Sequence, residues 1–201
     1  ALNGHKDSAD KINECITAIV DGKYNDAIAL MDAGNIVEAY EALVALEGYK
    51  DSTDKANSIY DKYKDEKLKV AKVGDYVFFG AYEQDNNTSN GKEDIEWLVL
   101  EIKDGKTLVI SKYALDCKQY NTSYTDVTWE TSTLRKWLNN DFLNSAFSAD
   151  EKAMIPTVTV SADKNPEFSE HNTNPGNATQ DQVFLLSIPE VNKYSSSDSA
   201  R

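Results

Sequence analysis

A chain of 201 residues with a formal net charge of −13 and 40% hydrophobic residues can bury a core, either as one large domain or as a small one beside a medium one. A surface that acidic repels phosphate backbones and anionic lipids, which argues against nucleic acid and membrane-surface partners. No apolar run reaches the length of a membrane span, so direct membrane insertion is not expected, and Ala1-Leu2-Asn3-Gly4 does not open a signal peptide. Cys15 and Cys117 stand too far apart in the chain for a disulfide framework and cannot alone build a zinc site. Both are expected as buried free thiols, following the usual habit of cysteine.

An internal repeat comes first. Leu2-Asn3-Gly4-His5-Lys6-Asp7-Ser8 recurs as Leu46-Glu47-Gly48-Tyr49-Lys50-Asp51-Ser52, displaced by 44 residues. Between the copies, Tyr24–Gly34 and Val37–Leu43 read as helices with small residues where they cross and a Gly34-Asn35 break between them. Ser8 and Ser52 are expected to cap the helices that follow, and the turns Gly4–Ser8 and Gly48–Ser52 to share one geometry. The segment resembles the tetratricopeptide-like repeats of bacterial surface proteins, whose hairpins end in Gly-Tyr-Lys-Asp-Ser. One and a half copies read as the tail of a longer array, so the natural start, with any signal or anchor, is expected upstream. Such a unit can offer a peptide-binding groove or act as a spacer; the spacer is preferred.

The charged run Asp61–Lys67 reads as a solvated helix face, and the period changes at Val73-Gly74-Asp75. The domain boundary is placed there, giving a helical region 1–72 and an α+β domain 73–201. Tyr76–Tyr82 reads as a strand. Glu83–Asp94 is a polar loop that nearly spells a calcium site with Asp85, Asn87, Ser89, Gly91 and Glu96, but the glycine falls one place late and Glu96 belongs to the next strand. Ile95–Ile102 and Thr107–Ser111 are strands joined by a tight turn at Asp104-Gly105, and their continuous apolar character predicts burial on both faces.

The stretch Val127–Ile155 is the centre of the larger domain. Leu134, Trp137, Leu138, Phe142 and Ala146 fall on one side of a 3.6-residue period, with Thr131 or Ser132 as cap. Phe147 ends this helix, Ser148 and Glu151 form a capping box for a shorter one, and Pro156 closes that one by keeping Ile155 out of the α region. Ser161–Gln182 follows as a long polar loop.

A series of motifs runs through this domain: Phe79-Gly80-x-Tyr82, Ile95-x-Trp97-x-Val99-Leu100, Leu115-Asp116-x-x-x-Tyr120, and Thr128-Trp129-x-x-Ser132-x-Leu134-Arg135-x-Trp137-Leu138-Asn139. It continues with Ala146-Phe147-Ser148-x-x-Glu151 and Val183-Phe184-Leu185-Leu186-Ser187-x-x-Glu190-x-x-x-Tyr194. The series resembles an uncharacterised domain family of gut-bacterial surface and secreted proteins, domain of unknown function 6273, over residues 73–201. The resemblance implies an extracytoplasmic α+β domain related to the C-type-lectin-like fold, with no established activity. In that family a Trp-rich segment and a further strand follow, so the domain is expected to be C-terminally truncated here and its first strand to lack a neighbour.

Catalytic signatures are sparse. His5 has Tyr49 as its repeat counterpart and reads as a packing or surface residue, while His171 stands in the polar loop without a second histidine or a cysteine cluster. No nucleophile elbow or phosphate-cradling glycine loop occurs. Neither a catalytic site, a metal nor a cofactor is expected. Tyr113, Tyr120, Tyr124 and Trp129 cluster among Asn, Thr and Ser, the composition that sugar and peptide recognition uses. The candidate ligand contacts are Tyr120, Tyr124 and Trp129, with Arg135 and Asn139 on the helix that follows. The competing reading is that Trp129 and Tyr120 are core residues bonding their polar atoms internally.

These features predict a non-enzymatic, extracytoplasmic binding or interaction module, secreted or anchored at the cell surface, with a protein or carbohydrate ligand. The alternatives are an enzyme on a formylglycine-generating, lectin-like scaffold, for which the two cysteines offer no paired reactive site, and a structural surface spacer.

Overall fold

The computed structural model describes residues 7–167, 170 and 172–195. The chain divides into two compact units, Ala1–Lys72 and Val73–Arg201. The first is helical and the second combines small antiparallel sheets with short helices.

In the first unit α1 (Ser8–Asp32), α2 (Ile36–Val44) and α3 (Ser52–Val70) pack together. Gly34-Asn35 breaks the chain between α1 and α2, as the composition predicts. The core is Ala27 from α1, Leu43 and Leu46 from α2 and its exit, and Ala56 from α3. These four small or aliphatic side chains let the helices approach closely. Tyr40 of α2 stacks on Tyr63 of α3 with ring centroids 4.0 Å apart. The Gly-Tyr-Lys-Asp turn staples the hairpin: Tyr49 donates to Asp21 at 3.1 Å, Lys50 pairs with Asp21, and Tyr24 donates to Asp51 at 2.5 Å.

Two expectations for this unit need correction. The residues that precede the helices as caps are Asp7 and Asp51, not Ser8 and Ser52, and neither caps through its side chain. Their carboxylates turn instead to Lys11 and Lys55 one turn on, and Ser52 is fully buried. Cys15 is exposed, because it lies on the outer face of α1. The repeated turn can be followed only at its second copy, since Gly4, His5 and Lys6 lie outside the described residues.

The second unit opens with a three-stranded antiparallel sheet in the order β1-β2-β3: β1 (Tyr76–Tyr82), β2 (Glu93–Lys103) and β3 (Lys106–Ser111). Asp104 and Gly105 both take positive φ, 51° and 70°, the geometry of a two-residue hairpin turn. The hairpin is not buried on both faces, which corrects the sequence expectation. Ile95 and Val99 are buried, but Ile102 and Ile110 are 47% and 39% exposed. Apolar run length does not separate a two-sided strand from a one-sided strand at a sheet margin.

The register of β1 on β2 shifts between Phe78 and Ala81. Gly80 sits in this bulge at φ +73°, and its N–H donates to Glu151 at 3.0 Å instead of to the ladder. The central helix follows as α4 (Thr133–Trp137), a π-helical turn (Leu138–Phe142) and α5 (Leu143–Ala146), capped by Ser132. The π turn inserts an extra residue, so the predicted stripe rotates and Leu143 joins Phe142, Ala146, Phe147 and Ile95 in the core. Phe147 is extended and ends the helix, and Ser148–Glu151 forms the capping box of α6 (Ala149–Met154). Ile155, before Pro156, is extended as expected.

The long polar stretch is less formless than its composition suggests. Val158–Val160 (β4) pairs antiparallel with Thr179–Asp181 (β5), and α7 (Ile188–Tyr194) follows with a Ser187–Glu190 capping box. Tyr194 and Lys193 on α7 bind the carboxylate of Glu101 on β2 at 2.6 and 3.0 Å.

Candidate functional site

Four of the sequence-predicted residues lie near the start of the central helix, and three of these belong to one closed network. Asp181 of β5 is 1% exposed. Its Oδ1 accepts from Arg135 Nε at 2.7 Å, and its Oδ2 accepts from Trp129 Nε1 at 3.0 Å and from Thr179 Oγ1 at 2.5 Å. The remaining guanidinium nitrogens of Arg135 donate to the carbonyls of Glu130 and Gln180. Asn139, one helical turn on, donates to the carbonyls of Arg135 and Val183 and accepts from the N–H groups of Gln182 and Val183. All four hydrogen-bonding positions of that amide are thereby used.

Trp129, Arg135 and Asn139 thus clamp β5 and the residues after it onto the central helix. A buried carboxylate needs such partners, and their polar atoms are spent in supplying them. Sequence reasoning missed Asp181, Thr179 and Gln182. The run Thr-Gln-Asp-Gln carries no apolar alternation, so nothing in it signals a strand.

Tyr120 and Tyr124 stand differently. The segment around them is fastened to the start of α4: Leu134 N–H donates to Tyr120 O, Thr122 N–H to Thr133 Oγ1, and Thr133 N–H to Asn121 Oδ1. Their rings remain outside, Tyr120 at 43% exposure and Tyr124 fully exposed, with Tyr113 at 60% earlier in the same irregular segment. Partial burial pushes the Tyr120 phenol above its ordinary pKa, against the opposing effect of the Ser132 hydroxyl. A shallow groove of about 310 Å³ follows the same helix start, lined by Glu130, Thr133, Lys136 and Asn140 among others.

Three further titratable clusters lie in this unit. Tyr82 donates to Asp116 at 2.7 Å, and burial together with that bond pushes its phenol up to about 12. The folded state therefore favours the neutral phenol. That contribution is intact below pH 10 and is lost as the pH rises from 10 to about 12. In alkaline unfolding curves followed by tryptophan fluorescence, Tyr82→Phe is expected to fall less steeply over this window than the parent chain. Identical slopes would rule out the Tyr82 contribution.

Glu151 is held below the usual carboxylate range. Burial opposes its ionisation, but N–H donation from Ser148, the Ser148 hydroxyl and Gly80 N–H outweigh it. Glu83, Asp85 and Glu93 bring carboxylate oxygens within 4.8 Å of one another at the mouth of the β1–β2 loop. These oxygens already accept from Asn87 N–H, the Asn90 side chain and Gln84 N–H, and the Asn90 and Asn87 donors lower the pKa of Asp85. Glu96 takes no part, being ion-paired with Lys112 at 2.7 Å.

Cys117 is exposed, correcting the expectation of a buried thiol. It lies in the irregular segment after β3, where its N–H donates to the Asp116 side chain. His5 and His171 lie outside the described residues, so the readings attached to them do too.

No curated protein and no solved structure matches the chain. A family model does match, from the turn between β2 and β3 onward, so the motifs on β1 and β2 fall outside the matched range although the sequence resemblance included them. Residues 104–201, which hold the Asp181 clamp and the exposed tyrosines, match the model of the family described as Domain of unknown function (DUF6273).

Proposed function

We propose that the chain is an extracytoplasmic bacterial binding module that presents its α+β unit to a carbohydrate or protein ligand at the cell surface, with the tetratricopeptide-like helical unit as its spacer. The observation that carries this reading is the exposure of Tyr113, Tyr120 and Tyr124 on one segment fastened to the start of the central helix. An aromatic ring left in water offers large contact area at low entropic cost, and amide and hydroxyl groups beside it supply the hydrogen bonds that a sugar or a polar peptide needs. Among the five predicted contacts, Tyr120 and Tyr124 keep such surface, whereas the polar atoms of Trp129, Arg135 and Asn139 hold β5 in place.

The lectin-like affinity of the α+β unit belongs to the same proposal and rests on the motif series in the sequence. So does the surface or secreted location, to which the acidic surface adds support. No helix among the described residues is long and apolar enough to cross a membrane.

The test is a glycan-array and protein pull-down screen with the whole chain and with a Tyr120→Ala/Tyr124→Ala variant. Reproducible binding is expected, weakened about tenfold or more in the variant at unchanged thermal stability, since each aromatic contact contributes about 1 kcal/mol. Binding indifferent to both substitutions would remove this site. Turnover of a captured ligand would favour the enzyme reading instead.

A further inference from the structure

The first half of α1 carries an apolar face that nothing among the described residues covers. Ile12, Ile16 and Ile19 are 55%, 54% and 60% exposed, and Cys15 lies in the same stripe at helical spacing. In a chain this acidic, three half-bare isoleucines on one helix face are an unusual expense of solvation.

The internal repeat identifies what fits there. Shifted by 44 residues, Ile12, Cys15, Ile16, Ile19 and Lys23 fall on Ala56, Ile59, Tyr60, Tyr63 and Lys67 of α3. Those five lie on the packed side of α3, and four of them have a neighbour on α2. Ala56 is buried in the core with Leu43, and Ile59 packs against the same cluster. Tyr60 and Tyr63 lie against Tyr40, with centroids 5.6 and 4.0 Å away, and Lys67 pairs with Glu41 at 2.9 Å.

The correspondence extends beyond these contacts. Ser8, Asp10, Lys11 and Asn13 are identical to Ser52, Asp54, Lys55 and Asn57. Both helices begin on an aspartate paired with the lysine one turn later. The motif that staples α3 to α1, Gly48–Ser52, also stands in the sequence as Gly4–Ser8.

We propose that this face of α1 is a docking surface for a helix of the α2 type, bound in the register that α3 uses on α2. The fitting helix carries a large apolar residue in the place of Tyr40, leucine in the place of Leu43, and an acid in the place of Glu41 to meet Lys23. A second copy of this chain does not supply it, because its α2 is already held between its own α1 and α3. The occupant is the second helix of another repeat unit.

The experiment places residues 8–51 twice in tandem at the front of the chain, so that a second α2 falls 44 residues before the first. Cys117 is replaced by serine, as is the cysteine of the added unit, leaving Cys15 as the single thiol. Its rate of reaction with a small disulfide reagent is compared with that of the Cys117→Ser parent. The tandem chain is expected to react about tenfold more slowly, because the thiol becomes accessible only when the contact opens. Ile16→Asp in the tandem chain is expected to restore the parent rate. An unchanged rate in the tandem chain overturns the proposal, and so does an added unit that brings no gain in helical ellipticity, since its α2 would then have failed to dock. Concentration-dependent protection of Cys15 in the parent chain would make a second copy the occupant, and also overturns it.

Discussion

Gly80→Ala is expected to destabilise the α+β unit by about 3 kcal/mol or more, while the same change at Gly105 should cost about 1. Both glycines have positive φ, +73° and +70°. An L side chain is strained at either position by roughly 1–2 kcal/mol. They differ in what surrounds them. A Cβ at Gly105 meets nothing within 4 Å, whereas at Gly80 it would stand 2.5 Å from the Phe147 ring and 2.7 Å from the Ala146 carbonyl oxygen.

Neither neighbour of Gly80 can move cheaply. Phe147 packs against Phe79, Trp97 and Phe142, and the Ala146 carbonyl belongs to the last turn of α5. Withdrawal of the strand would also pull Gly80 N–H from Glu151, which the capping box of α6 holds in place. The measurement is denaturant unfolding followed by tryptophan fluorescence. Trp97, Trp129 and Trp137 are the only three tryptophans and all belong to the second unit, so the signal is insensitive to the helical unit. Equal losses for the two variants would show that the bulge has room to relax and that the close approach of β1 to α5 is not what fixes it.

The features legible in the sequence are those whose cause is local. Asp104-Gly105 specifies its turn through backbone freedom, Ser148 and Glu151 specify a helix start by satisfying two N–H groups, and Pro156 acts on the residue before it. The repeat, likewise, is a comparison of the chain with itself. Features that depend on a distant partner were not legible.

Thr179-Gln180-Asp181 becomes a strand because Arg135 and Trp129, some fifty residues earlier, offer their donors to Asp181. Trp129, Arg135 and Asn139 therefore looked like ligand contacts for the same reason that they serve as a clamp: each presents directed hydrogen bonds. Only the partner tells the two uses apart. Cys15 misled in a related way. General burial habit says nothing about whether the helix face that carries it has been matched, and here that face is bare. The π turn also escaped prediction, since a single inserted residue leaves no compositional trace while rotating Leu143 into the core.

Removal of the Asp181 carboxylate is the change expected to test the clamp most severely. In Asp181→Ala the Arg135 guanidinium loses its ion pair, and the Trp129 indole and Thr179 hydroxyl lose an acceptor. Loss of one partner from a buried ion pair costs about 3–5 kcal/mol, because the other charge is left uncompensated. The Arg135 side chain is 26% exposed, so water can recover part of that loss, and the low end, about 3 kcal/mol, is the expected value. Asp181→Asn should lose roughly half as much, since it keeps one acceptor oxygen but gives up the charge. The tryptophan signal serves here too, with Trp129 as a direct reporter: its emission should shift to longer wavelength once the indole N–H turns to water. The damage should also be local at first. Amide exchange is expected to rise at Thr159 and Gln180, in the β4–β5 pair, before it rises at Ile95 and Val99 in the main sheet. If Asp181→Ala unfolds at the denaturant concentration of the parent chain, the carboxylate does not hold β5, and Trp129 and Arg135 return to the list of residues free to meet a ligand.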